Sequence, residues 1–231
     1  MKDNTVTLDF SNSPTKLKFS ENFNVAVPFI DRHLEEGRGD KTAILCSNGD
    51  KVLYKELVGH VNRCGNMLLA KGMKPGERLL MVIKDAPEFF YLFWGSIKAG
   101  IIPVPLNTLL RSQDFHFLID DSECKGLVYS EEFSEEVEGA LVSLASELPL
   151  IIKSENSNDG LKKLLLESPD ELKAHPSKAQ SECFWLYSSG TTGRPKGAVH
   201  LQRDMVVTSQ FYGVETLGMD EKDVCYSAAK L

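Results

Sequence analysis

The sequence predicts an α/β fold, a layered arrangement with a mostly parallel sheet flanked by helices. Three observations predict it. Short apolar runs suited to buried strands recur along the chain, helix-period segments lie between them, and the connections are brief and marked by glycine, proline or a capping residue. Strand and helix alternating in this way imply crossovers that return the chain to the same sheet.

Each element has its own local reason. Residues 1–25 are polar, carry Asn-Ser-Pro at 12–14, and are expected to form an irregular N-terminal segment lying across a surface. Between residues 54 and 71, Leu57, Val61, Cys64 and Leu68 recur at helical spacing, and Gly72 supplies a stop. Residues 79–83, LLMVI, suit a buried parallel strand. Asp85 is expected as the N-cap of the next helix, with Pro87 just inside it. Phe89, Phe90, Phe93, Trp94 and Ile97 carry that helix to Gly100. Being apolar nearly all round, it belongs between layers.

Residues 101–105, IIPVP, form a strand whose prolines confine it to a sheet edge or to strand ends. Ser112 is expected to cap a helix through Asp121, residues 127–129 to form a strand, and residues 131–147 another helix. The polar residues 154–160 and the charged run 166–182 read as a surface excursion, after which the sheet resumes at Phe184.

The bulk properties narrow the function. With 231 residues, 42% hydrophobic and 26% charged, the chain has the composition of a globular protein. A formal charge of -7 argues against binding driven by neutralising nucleic-acid phosphates and favours small-molecule work. The five cysteines are scattered, without a Cys-x-x-Cys pair, and read as reduced thiols. MKDNTVTLDF lacks the apolar core of a secretory signal, and no run of about 18 apolar residues could span a bilayer. A cytoplasmic protein with no membrane and no nucleic-acid partner is the expectation.

One stretch concentrates unusual chemistry: Tyr187 to His200, YSSGTTGRPKGAVH. Gly190, Gly193 and Gly197 permit positive φ and close approach of a ligand, so successive N–H groups can share one concavity. Ser188, Ser189, Thr191 and Thr192 add hydroxyl donors, Pro195 stiffens the turn and Lys196 brings a positive charge. Together they describe a loop built to surround a polyphosphate, with a strand before it and a helix after His200. A solvent-exposed loop without a ligand is the competing reading, but a linker has no need of Pro and Lys at fixed offsets from three glycines. A Walker A loop is disfavoured, since Pro195 precedes Lys196 and Gly197 follows it.

Residues 187–197 match, position for position, the phosphate-loop signature of adenylate-forming enzymes: aromatic, Ser/Thr, Ser, Gly, Ser/Thr, Thr, Gly, any residue, Pro, Lys, Gly. That AMP-binding superfamily contains acyl- and aryl-CoA ligases, peptide-synthetase adenylation domains and beetle luciferases. Lys74-Pro75-Gly76-Glu77-Arg78, Pro87-Glu88-Phe89, Trp94-Gly95, Lys98-Ala99-Gly100 and Pro103 to Asn107 resemble an upstream block of the same enzymes. FWGSIKAGIIPVPLNTLL and DVCYSAAKL are most similar to the benzoate-CoA ligase branch.

The resemblance implies the N-terminal part of an acetyl-CoA synthetase-like fold. It also implies an enzyme that adenylates a carboxylate such as benzoate or hydroxybenzoate with ATP and Mg2+, then transfers it to coenzyme A. By resemblance Ser188, Ser189, Gly190, Thr191, Thr192, Gly193 and Lys196 contact the triphosphate, Lys196 is the catalytic residue of the set, and no metal ligand is assigned. Arg194 occupies the open position and receives no role. His200 is equally well read as fixing the turn, and Ala228 and Ala229 as either pocket wall or strand packing.

Family members are considerably longer than this chain. Residues 26–231 are therefore expected to be a partial AMP-binding domain, with a first α/β subdomain over 26–180. Residues 181–231 would carry the phosphate-loop segment and the start of the acid-pocket region, with the C-terminal domain and the adenine, ribose, Mg2+ and CoA contacts beyond Leu231. Such a piece is not expected to turn over alone. The alternatives are a short-chain or fatty acyl-CoA ligase, or a noncatalytic truncated homologue that at most binds phosphate.

Overall fold

The computed structural model describes residues 2–142, 144–154, 160–188 and 193–227. The chain opens with an antiparallel hairpin of β1 (Val6–Asp9) and β2 (Lys16–Phe19). This corrects the irregular segment expected over residues 1–25. Val6, Leu8, Leu17 and Phe19 are the half-buried members of a two-residue alternation that the polar composition conceals. Behind the hairpin, Phe23, Asn24 and Val25 are fully buried. The Asn24 side-chain amide donates to the carbonyls of Ile97 (2.9 Å) and His175 (3.3 Å), so this segment is sewn into the body of the protein.

A wide helical turn over residues 27–31 leads into α1 (Arg32–Glu35), then a second antiparallel hairpin, β3 (Thr42–Leu45) with β4 (Lys51–Leu53). The predicted helix follows as α2 (Tyr54–Ala70), ended by Gly72 at φ +94°. Four parallel strands come next, β5 (Arg78–Val82), β6 (Ile102–Pro105), β7 (Gly126–Ser130) and β8 (Leu150–Ser154). Between them run α3 (Pro87–Ala99), α4 (Ser112–Ser122) and α5 (Ser134–Val142). The sheet order is β6-β5-β7-β8, which leaves the proline-bearing β6 at an edge as expected. β8 was passed over in the sequence.

The two-residue period of β5 creates the layers. Leu79 and Met81 join α2 and α3 in one core, whereas Leu80 and Val82 join α4 and α5 in a second on the opposite face. Helices α2 and α3 cross where two glycines meet: a Cβ on Gly95 would lie 2.8 Å from the Val61 carbonyl oxygen, and one on Gly65 2.9 Å from that of Gly95.

Helix starts depart from expectation by a residue. Ala86, not Asp85, is the N-cap of α3, because a residue preceding proline is pushed to extended backbone and Ala86 takes φ -150°, ψ 165°. Arg111 rather than Ser112 precedes α4: its N–H donates to Asp114 (3.1 Å), while the Ser112 hydroxyl donates to Glu136 (2.8 Å). The helix expected over 131–147 is a 3-10 turn over 131–133 plus α5, and the described residues 144–149 are not helical; Pro149 disfavours helix before it.

Residues 167–181, within the expected surface excursion, form an irregular and largely exposed strap after α6 (Leu161–Leu166), and it binds along α2. Asn62 donates to the Asp170 carbonyl (2.7 Å), Asn66 to those of Pro169 (2.8 Å) and Glu171 (2.9 Å), and Arg63 to that of Ser168. Polar side chains of a helix thus satisfy carbonyls of a segment lacking secondary structure of its own. Ser177 and Ala179 are buried, and the N–H of Phe23 donates to the Ser177 carbonyl (2.7 Å).

β9 (Glu182–Ser188) and β10 (Lys196–Leu201) then form a separate antiparallel pair beside β6, followed by α7 (Gln202–Thr208) and a wide helical turn over 209–216. Gln202, 2% exposed, accepts the N–H of fully buried Val25 at 2.8 Å.

Candidate functional site

The signature read from the sequence is the connection of a β-hairpin. Ser188 ends β9, Lys196 begins β10, and the two are directly opposed in register. A strand before the loop was expected; the strand after it was missed. Its signal was present, since the apolar run 183–187 and the β-branched Val199 are separated by glycine- and proline-bearing residues in the manner of a long hairpin. The expected helix does follow His200, as α7, but only after β10.

Ser188, Gly193 and Lys196 are all exposed and stand at the loop end of this hairpin. Ser189, Gly190, Thr191 and Thr192 lie outside the described residues, as do Ala228 and Ala229. Gly193 and Gly197 do not use the left-handed region. Gly197 is required for another reason: it faces Tyr187 across the ladder, and a Cβ there would come within 3.3 Å of both the Trp185 and Tyr187 rings. Glycine in a strand is a mark of such close approach.

The two faces of β9 go different ways. Trp185 and Tyr187 pack toward the core beneath α4 and α5. Phe184 packs toward the other core, with its ring 5.4 Å from Phe93 and stacked on His200 at 4.5 Å and 7°. His200 thus packs its ring on Phe184 within the hairpin.

Three groups hold the Trp185 and Tyr187 face. The Tyr187 hydroxyl donates to Asp121 Oδ2 at 2.6 Å, and the Arg194 guanidinium lies 5.3 Å from the Phe117 ring centre. Arg78 lies 5.6 Å from the Trp185 ring centre while donating to the Ser122 carbonyl at 2.7 Å. Burial, and then the Asp121 carboxylate, push the Tyr187 hydroxyl above the ordinary phenol range, so it stays a donor at neutral pH. None of Asp121, Phe117 or Arg78 was singled out by sequence reasoning as holding the loop.

Beside the hairpin, at the carboxyl ends of β5 and β6, lies a cleft of about 620 Å³. Phe89, Phe93, Phe184 and Leu186 line it together with Asp85 and Thr108. Ligands of open α/β sheets favour this end. Among the described residues, no group of three His, Cys, Asp or Glu side chains is placed to hold a metal ion. No described helix is long and apolar enough to cross a membrane. All five cysteines are unpaired, with Cys64, Cys124 and Cys183 buried.

Comparison with known proteins follows the same line. The model of the family described as AMP-binding enzyme matches residues 30–231. The chain is 38% identical over 224 residues to a benzoate-CoA ligase of Thauera aromatica, covering 96% of this chain and 42% of that protein. Among solved structures it is similar to a benzoate CoA ligase from Burkholderia xenovorans LB400, with TM-score 0.81, 32% identity, and coverage of 90% and 40% of the two chains. An anthranilate CoA ligase, AuaEII, in complex with anthranoyl-AMP gives TM-score 0.81 and 28% identity, covering 88% and 39%. The chain thus spans about two fifths of the length of the relatives it matches.

Proposed function

The chain belongs to the AMP-binding enzyme family, and from that premise we propose that it is the phosphate-gripping part of an ATP-dependent acid-thiol ligase acting on an aromatic carboxylate. One observation carries the reading: the eleven-residue signature closes as a hairpin in which the Ser188 and Lys196 backbones pair, so a hydroxyl and an ammonium stand together at an exposed mouth. Similarity to benzoate and anthranilate CoA ligases supports the aromatic acid, with benzoate or a hydroxybenzoate as the substrate class.

In this reaction a carboxylate oxygen attacks the α-phosphorus of ATP. The bond to the bridging oxygen breaks, and pyrophosphate leaves with the electron pair. The thiol of coenzyme A then attacks the acyl carbon and AMP departs. Residues of the hairpin act in the first step. Lys196, with Ser188, Ser189, Thr191 and Thr192 and the loop N–H groups of Gly190 and Gly193, offsets the charge that grows on the departing phosphates. The donor set suits the triphosphate, being all N–H, O–H and ammonium. Mg2+ supplies further charge neutralisation when it accompanies ATP; the described residues hold no carboxylate cluster for it, and no step here is assigned to it.

In the same reading residues 26–180 are the first α/β subdomain, and 181–231 begin the acid-pocket region. The absence of paired cysteines among the described residues supports a cytoplasmic setting.

Calorimetric titration of the chain with ATP, and with inorganic tripolyphosphate, tests the proposal. Lys196→Ala should weaken both by about tenfold or more, the size of a charge-assisted contact, with the melting temperature unchanged. Equal affinity in the variant and the parent removes Lys196 from the site.

A further inference from the structure

The described stem of the hairpin is fastened to one helix on both of its arms. On α4, Phe117 and Asp121 are four residues apart and so lie on one face. On β9, Trp185 and Tyr187 are two apart and share the opposing face. Tyr187, on the incoming arm, donates to Asp121 at 2.6 Å. Arg194, just before the outgoing arm, lies over Phe117 at 5.3 Å. Arg78 closes the row, tied to the carbonyl of Ser122 at the end of α4 and placed over Trp185. Gly197, on the outgoing arm, leaves the room that the Trp185 and Tyr187 rings occupy.

We infer that α4 sets the position of the phosphate-binding hairpin, with Tyr187 and Arg194 as positioning residues acting through Asp121 and Phe117; this rests on the proposed function for the purpose of the hairpin. The geometry has the features such a role needs. Both anchors lie within two residues of the paired ends, Ser188 and Lys196, so a shift of α4 moves both edges of the mouth together. One tie is a short hydrogen bond to a carboxylate, and the other is a cation facing a ring, which tolerates sliding but not loss of charge. Arg194 thereby acquires a role at the one position that the loop signature leaves open.

The test uses the whole chain. Tyr187→Phe, Asp121→Ala and Arg194→Gln are compared with the conservative Arg194→Lys and Phe117→Tyr, alongside Phe117→Leu. Two quantities are read: hydrogen exchange of amides 186–188 and 196–198, and affinity for inorganic tripolyphosphate, with melting temperature as the control for general damage. Loss of a tie should speed exchange at these amides and weaken tripolyphosphate binding by about three- to tenfold. Arg194→Lys and Phe117→Tyr should stay near the parent. Tyr187→Phe combined with Asp121→Ala should do no more than either alone, since both remove one bond.

Unchanged exchange and affinity in Tyr187→Phe and Arg194→Gln overturn the inference. So does a change shared equally by the conservative variants, which marks bulk packing. Should the parent itself fail to bind tripolyphosphate while exchange still rises in the variants, the phosphate reading falls and the anchoring by α4 stands.

Discussion

The ammonium of Lys98, only 3% exposed, lies 2.6 Å from Asp31 Oδ1 and 2.6 Å from Asn62 Oδ1. A charge on α3 is thus shared with the turn before α1 and with α2, in a place that water scarcely reaches. Burial raises the Asp31 carboxyl pKa above the ordinary range and the Lys98 ammonium only partly offsets it, so the pair specifies an arrangement more than it adds stability.

Removing one member should therefore be far worse than removing both. Lys98→Met is expected to cost about 3 kcal/mol in urea unfolding, because Asp31 is left without its counter-charge. Lys98→Met combined with Asp31→Leu should recover most of that loss. A double variant as unstable as the single one contradicts this account.

The crossing of α2 and α3 admits no methyl group. Gly95→Ala places a Cβ 2.7 Å from that of Cys64 and 2.8 Å from the Val61 carbonyl oxygen. A loss of about 2–3 kcal/mol is expected, since two backbones must part. Gly59→Ala, where a Cβ has open space, should cost nothing and serves as the control on the partner helix α2.

At Gly197 the obstacle is a pair of rings rather than the backbone angle. Gly197→Ala should destabilise by about 1–2 kcal/mol and disturb the near-ultraviolet circular dichroism of Trp185. Combining it with Tyr187→Leu should relieve part of the cost. Equal costs in both backgrounds point instead to backbone strain.

His33 gives the protein a pH-dependent stability. Burial, then Arg38 and Arg32, lower its pKa to about 4 from an ordinary 6.5, outweighing the pull of Glu36. The neutral ring stacks on Tyr54 at 3.8 Å and accepts the Arg38 Nε–H at 3.0 Å, which a protonated ring gives up. Between pH 6.5 and 4 the unfolded chain binds more protons than the folded one at this site. Its contribution is full above about pH 6.5 and is lost as pH falls toward 4. Thermal melts of His33→Asn across that window should slope less than those of the parent, and identical slopes refute the assignment.

Much of the layered body was legible because its signals are local. Leu57, Val61, Cys64 and Leu68 keep the helical period over about three turns, and Gly100 stops α3 in the left-handed region, φ +80°, as a helix-ending glycine should. Where the deciding physics is long-range, reading failed. Leu8 and Phe19 alternate among charges, and what buries Phe23 to Val25 is a partner more than 70 residues away. The strap over 167–181 has charged side chains, but its place is decided by its carbonyls, which composition does not display. At the site, Ser188 and Lys196 were proposed from resemblance to the signature; Asp121 and Phe117 are contributed by topology, and no spacing rule reaches them.

The bond between the Val25 amide and the Gln202 side chain joins residues 177 apart in the chain. At ribosomal speeds of about 5–20 residues per second, the acceptor emerges roughly 10–35 s after the donor. Throughout that interval the apolar run at Phe23 waits without its final seat, exposed to the off-pathway contacts that unburied apolar surface invites. Codon choice upstream of Gln202 would lengthen or shorten that wait without altering a single amino acid.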